Sequence, residues 1–321
     1  MSLQPQVAAN ATSKAGANGT RPVISTAKTS VIHTKVRCRE ITESDVDAVA
    51  DLLTRGFAGR SRNYWIQGLR RQAFRPVPEG YPRFGYMLDN DGSPAGVLLL
   101  IYTARREGDE AAIQCNLSSW YVDPAYRNYA PLLTKIAQRH KEVTYFNISP
   151  ASWTWPIIET QGFRAYCRGI FLSVPALARM PHRITIEIIS PDAKHIDGLS
   201  EADTELLARH ARYKCLTLVC RTPKGTFPFI LQPVRIRRGF IALPLMKLIY
   251  CRSTAEYAAC AGPIGRLLLR LGKISVSIDS NEPIPGLVGI YTERRGRKYY
   301  KGPHRPQLAD LTDTELVLYG A

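Results

Sequence analysis

No stretch of this sequence approaches the roughly 18 to 20 uninterrupted apolar residues that a membrane-spanning helix requires, so a helical membrane protein is not expected. The seven cysteines, at positions 38, 115, 167, 215, 220, 251 and 260, form no Cys-x-x-Cys pair, no Cys/His spacing typical of zinc and no even-numbered framework. They read as reduced, mostly buried thiols of a cytoplasmic protein. No Ser/His/Asp triad, paired-carboxylate motif or metal-ligand cluster stands out, and the six histidines are scattered, so no metal is expected. Acidic residues are absent before Glu40, whereas Lys14, Arg21, Lys28, Lys35, Arg37 and Arg39 contribute +6 there.

What the chain does have is length, apolar content and positive charge. Its 321 residues, 45% hydrophobic, suffice for about two ordinary domains with sizeable cores. Lys and Arg number 43 against 27 Asp and Glu, a net charge of +16. Residues 1–35, rich in Ala, Ser, Thr, Asn and Gly, show no period and lack the apolar core of a secretory signal; they are expected to be a disordered basic tail. A second basic cluster, Arg294, Arg295, Arg297, Lys298, Lys301 and Arg305, surrounds one acid, Glu293. Charge alone is compatible with a solvated surface or with an anionic partner. Nucleic acid is not the expected partner, because no zinc finger or glycine-aromatic RNA-binding signature is present.

Along the first half, Val36–Ile41 reads as a strand and Thr42 or Ser44 as the cap of a helix built on Val46, Val49, Ala50, Leu52, Leu53 and Phe57. An aromatic helix follows with Tyr64, Trp65, Leu69 and Phe74. Phe84–Leu88 and Ala95–Tyr102 flank an Asp89-Asn90-Asp91-Gly92 turn and predict a hairpin. A strand over 113–122, a helix over 131–140, a strand over 143–148, a short helix over 154–160 and a strand over 164–174 complete the half.

Four features in this order carry a resemblance: Val36-Arg37-Cys38-Arg39-Glu40-Ile41 with Asp45 and Leu52-Leu53; the hairpin Asp91-Gly92-Ser93-Pro94-Ala95-Gly96-Val97; the turn Val122-Asp123-Pro124-Ala125-Tyr126-Arg127; and Glu159-Thr160-Gln161-Gly162-Phe163. Residues 36–174 resemble the GNAT superfamily of acyl-CoA-dependent N-acyltransferases, which implies an α/β (α+β) mixed sheet flanked by helices. The resemblance implies that the strand ending at Trp120, Tyr121 and Val122 splays from its neighbour and holds the pantetheine arm of acetyl-CoA or another acyl-CoA. It also implies that Arg127, Asn128, Tyr129 and Ala130 approach the pyrophosphate, with Asn147 near the cofactor. The family's turn carries glycines, but Ala130 and Leu132 stand at those positions here, and Pro131 lacks a donor N–H. Many family members draw a proton from a Tyr four residues before the Gly of the Gly-Phe pair; that position is Ile158. Ser149 and Tyr166 are the substitute catalytic candidates, each with a simpler reading as turn or core residue.

In the second half a strand (184–189), a polar helix (200–212), strands at 216–221, 227–231 and 242–251, a helix over 263–271 and a strand over 274–279 repeat the order. Pro131 precedes the strand at Val143 by 12 residues, and Pro263 precedes that at Ile274 by 11. The expectation is a diverged second GNAT-like unit over 184–321 in tandem with the first, Gly262-Pro263-Ile264-Gly265-Arg266 standing for the cofactor turn. A separate substrate domain is the alternative. The function implied is transfer of an acyl group from acyl-CoA directly to an amine acceptor that the sequence does not identify. The competing reading is a GNAT-like binding or regulatory protein without that activity.

Overall fold

The structure, a computed structural model, describes residues 36–107, 110–180, 183–238 and 241–320; the tail expected over 1–35 lies outside them. The first half opens with strand β1 (Val36–Glu40), helix α1 (Val46–Gly56) and helix α2 (Arg62–Ala73). Strands β2 (Gly85–Asn90), β3 (Ser93–Glu107) and β4 (Glu110–Val122) follow as an antiparallel run. Then come α3 (Ala130–Ala137), β5 (Thr144–Asn147), α4 (Trp155–Thr160) and β6 (Arg164–Cys167).

Local chemistry explains these boundaries. Asp45 accepts the Thr42 N–H at 2.8 Å, and the side chain of Ser61 accepts the Tyr64 N–H at the start of α2. Helix α1 buries Val49, Ala50, Leu52 and Leu53, the face its apolar spacing marks. Between β2 and β3 the two loop residues Asp91 and Gly92 have φ of 48° and 88°, which suits the Asp-Gly pair.

The single strand expected over 164–174 is instead two strands in different sheets. After β6, Arg168 intervenes, and β7 (Gly169–Ser173) runs into the second half. There follow β8 (Thr185–Ile188), α5 (Glu201–Arg212), β9 (Leu216–Thr222), β10 (Gly225–Arg238), β11 (Ile241–Cys251), α6 (Thr254–Arg270), β12 (Ser275–Ser280), β13 (Gly289–Thr292), β14 (Lys298–Lys301) and α7 (Glu315–Tyr319). One seven-stranded sheet has the order β1-β2-β3-β4-β5-β14-β6, the other β13-β7-β12-β11-β10-β9-β8. Read from β8, the second sheet repeats the first strand for strand, except that the halves exchange β7 and β14. A division at 174/184 therefore does not follow sheet membership.

The exchange is built into both cores. Tyr299 of β14 is fully buried in the first sheet's core, and its hydroxyl donates to Glu159 at 2.7 Å. Phe171 of β7 is buried in the second sheet's core. Where the strands cross, buried Asp279 of β12 pairs with Lys298 of β14 at 3.1 Å and with Lys247 of β11. Burial pushes the Lys247 ammonium down in pKa while Asp279 opposes that shift.

A second expectation is corrected by α6. Gly262-Pro263-Ile264-Gly265-Arg266 lies inside this 17-residue helix, not at a turn before it. The helix starts earlier because Ser253 caps it, accepting the Glu256 N–H. Its glycines are there for close packing: a methyl on Gly262 would sit 2.4 Å from the Arg179 carbonyl oxygen, and one on Gly265 2.1 Å from the Ala176 nitrogen.

Candidate functional site

Strand β4 has β3 beside it on one edge, but on the other it pairs with β5 only from Gln114 opposite Thr144 to Asn116 opposite Phe146. From Leu117 onward it has a strand partner on one side alone. A bulge helps it turn away, since Leu98 of β3 faces Trp120 while Leu100 faces Leu117, leaving one extra residue on β4. The resulting gap opens into a cavity of about 410 Å³, lined along the unpartnered edge by Ser118, Ser119, Trp120, Tyr121 and Val122. Main-chain polar groups on such an edge are available to a ligand lying alongside.

The cavity passes through the sheet. On one face it is bounded by Arg127, Ala130, Thr134 and Gln138 near α3 and by Ile157 and Ile158 of α4 and Gln161 just after it. On the opposite face it is bounded by Phe57, Arg60, Tyr64 and Trp65, where α1 meets α2, and by Glu315, Leu316 and Tyr319 of α7. The two faces are distinguished by their cores: Met87 and Leu99 pack with α1, α2 and α7, while Leu88 and Leu100 pack with α3 and α4.

At the waist, Asn116 spans the parting strands. Its side-chain amide donates to the Phe146 carbonyl at 3.3 Å, and its oxygen accepts the Glu315 N–H at 2.9 Å. The Glu315 carboxylate accepts hydrogen bonds from the hydroxyls of Ser118 on β4 and Ser149 beyond β5. It is half-buried and is the one acidic side chain lining the cavity among the described residues. Burial pushes this carboxyl above its usual pKa, against the two hydroxyl donors, which pull it down.

The route that brings Glu315 here starts in the other sheet. Beyond Lys247 opposite Ser277, β11 also loses its pairing with β12, but residues 309–311 occupy the gap. Cys251 donates its N–H to the Ala309 carbonyl at 3.1 Å, and Leu311 donates to Ile249 at 2.8 Å. The second sheet's opening is thus sealed by main-chain pairing. The chain then passes Asp313, held by Arg209 at 2.9 Å and Arg75 at 3.6 Å, and its N–H donates to the His210 ring at 3.4 Å. Helix α7 finally docks on α2, with the Tyr319 hydroxyl donating to Gln72 at 2.7 Å and Arg71 donating to the Leu318 carbonyl at 2.8 Å.

Of the residues singled out by sequence, Trp120, Tyr121, Val122, Arg127, Ala130, Asn147 and Ser149 line this one cavity. Asn128 and Tyr129 do not; they lie exposed in a 3-10 turn, Pro124–Tyr129. That turn uses its own amides, Tyr126 donating to Asp123 and Ala130 to Arg127, so the open anion cradle is replaced by a wound helix. Arg127 has no carboxylate partner among the described residues. Tyr166 is a correction. It is 1% exposed, stacks edge-on against Tyr300 at 6.0 Å, has no hydrogen-bond partner for its hydroxyl among the described residues and does not line the cavity. Burial drives its phenol well above the usual value, and its buried place leaves it no surface on the cavity from which to reach a ligand. Glu315 was not among the expected residues. Thr314-Glu315 before Leu-Val-Leu-Tyr is a helix-start signal, but nothing local shows that this helix enters the first sheet's gap.

No protein-family model and no curated protein matches the sequence. Solved structures do match. A GCN5-related N-acetyltransferase from Kribbella flavida superposes with a TM-score of 0.52 at 14% identity, over 83% of this chain and 70% of that one. A probable N-acyltransferase from Enterococcus faecalis V583 gives 0.52 at 12% identity, over 87% and 74%. The GCN5-related glucosamine N-acetyltransferase region of a fungal multi-domain GH3 β-N-acetylglucosaminidase gives 0.51 at 11%, covering 84% of this chain and 38% of that larger one. With its mixed sheets flanked by helices and a central strand parting from its parallel neighbour, this chain has the fold of the GNAT superfamily of N-acetyltransferases.

Proposed function

We propose that the protein is an acyl-CoA-dependent N-acyltransferase, transferring an acetyl or other acyl group directly to an amine. The observation that carries this reading is the one-sided edge of β4 from Leu117 to Val122, lining a cavity that joins the two faces of the sheet. A pantetheine arm fits along that edge as an added strand, entering from the face of α3 and α4, where Arg127, without a carboxylate partner among the described residues, offers a cation to phosphate. The acceptor then enters from the face of α1, α2 and α7.

An amine must be neutral to attack. Glu315 stands at the waist on the acceptor's face, where it can take the proton as the new C–N bond forms and the C–S bond breaks; the departing thiolate is protonated by water. Ser118 and Ser149 hold the carboxylate in place, so Ser149 is a positioning residue in this scheme. The test is isothermal titration with acetyl-CoA and with CoA, on wild type and Arg127→Ala. Saturable binding weakened by the substitution is expected; no heat in either protein removes the transferase reading and leaves the ligand-binding alternative.

Two further readings belong here. Residues 184–321 are read as a second, diverged GNAT-like unit beside 36–174, the two exchanging β14 and β7 across that division, supported by the repeated strand order and by neighbours that cover more than four-fifths of the chain, which neither half alone could supply. In this arrangement the first sheet holds the working cleft and the second, sealed by 309–311, supports it. A cytoplasmic location is favoured by seven free cysteines, and no described helix is long and apolar enough to cross a membrane.

A further inference from the structure

The face of the cavity assigned to the acceptor has a distinctive chemistry, and the inference drawn from it rests on the transferase reading above. Its wall is aromatic: Trp65 lies 5.3 Å from Phe57 and 4.9 Å from Tyr64, ring centre to ring centre, and Phe57 lies 6.3 Å from Tyr121. Tyr64 and Tyr121 are only partly buried and turn surface toward the cavity. Charge is sparse. Among the described residues lining this face, Glu315 is the one acid, and Arg60, whose guanidinium sits 4.4 Å above the centre of the Tyr64 ring, is the one base.

A polyamine would need several carboxylates and would meet Arg60 with its second charge. A sugar amine would need a wall of hydrogen-bonding groups, and this wall offers rings. We infer that the acceptor is a singly charged amine carried on a flat aromatic body, its nitrogen on Glu315 and its ring against Tyr64 and Tyr121. An ammonium held by a carboxylate and flanked by ring faces is favoured both by charge and by the ring quadrupoles.

Binding of the amine can be measured without acyl-CoA. The protein is titrated with 2-phenylethylamine, n-butylamine and spermidine, as wild type, Glu315→Gln and Tyr121→Leu, with thermal melts to confirm that each variant is folded. Phenylethylamine is expected to bind wild type about tenfold more tightly than butylamine, with spermidine no tighter than butylamine. Glu315→Gln is expected to weaken both monoamines about tenfold or more. Tyr121→Leu is expected to erase only the aromatic preference. Butylamine or spermidine binding as tightly as phenylethylamine, no amine binding at all, or wild-type affinities in both folded variants would overturn the inference. A parallel acetyl-CoA titration keeps the two readings apart, since either ligand can bind while the other fails.

Discussion

Tyr319 lies so close over Gly68 that a methyl group on residue 68 would sit 1.9 Å from its ring. Helix α7 reaches the cavity only because α2 has no side chain at this point. Gly68→Ala should raise intrinsic helix propensity by about 1 kcal/mol, yet it forces the ring outward. Overpacking of this kind typically costs about 1–3 kcal/mol. We expect a net loss of stability in urea melts, and acyl transfer lower than the lost stability explains, because Glu315 moves with its helix.

Glu315→Gln separates function from stability. In the proposed transfer Glu315 takes the amine proton, so its removal should lower kcat by about 10²–10⁴-fold, measured by thiol release from acetyl-CoA in the presence of an amine. Its carboxyl is raised by burial, so across the window above the ordinary glutamate value the native state binds more protons than the unfolded chain. Stability contributed near this group is therefore greatest at low pH and falls as pH rises through the folded pKa. The Gln variant lacks that fall and should melt at the same temperature as wild type or higher at pH 8. A lower melting point with unchanged kcat would contradict both parts.

His210 gives the opposite slope. Burial lowers its pKa, and its ring is held neutral: Nδ1 donates to the Leu206 carbonyl at 2.8 Å while Nε2 accepts the Asp313 N–H. Below about 6.5 the unfolded imidazole gains a proton that the folded one resists, so stability is lost as pH falls from there toward the folded pKa. Thermal melts between pH 5 and 8 should show a decline below pH 6.5 that is smaller in His210→Gln.

Asp313 is clamped by two arginines from different halves, and Arg75 is nearly as buried as the carboxylate itself. Removing one partner from a buried pair typically costs about 3–5 kcal/mol. Asp313→Ala should lose that much in urea titration, and because the clamp directs the chain into α7, it should also impair amine binding. Full stability in this variant would show that the clamp does not anchor the segment.

How much of this was legible in the sequence depends on the range of the interaction. Helix α1 announces itself through Leu52-Leu53 and the spacing around them, and the Asp91-Gly92 hairpin through residues that accept positive φ; both signals are local. The splay of β4 could be placed at Trp120 to Val122 because the resemblance located it there. Tyr166 misled because an alternating strand does not show which neighbour will cover its polar end. The Gly-Pro-Ile-Gly stretch of α6 looked like a turn, since a proline and two glycines are usually punctuation; here they let the helix touch the chain at 175–179. The exchange of β7 and β14 and the arrival of Glu315 are contacts across more than a hundred residues. No periodicity encodes a contact of that range.

The exchanged strands also set an order on biosynthesis. A ribosome that has released residues 36–167 has delivered six of the seven strands of the first sheet, but the slot between β5 and β6 must wait for residues 298–301. Until then two strand edges face each other across an unfilled space, ready to accept a strand from another nascent chain as easily as their own. Maturation of the protein is therefore a late, non-local closure, and truncation anywhere before Lys298 should yield species prone to pair with one another.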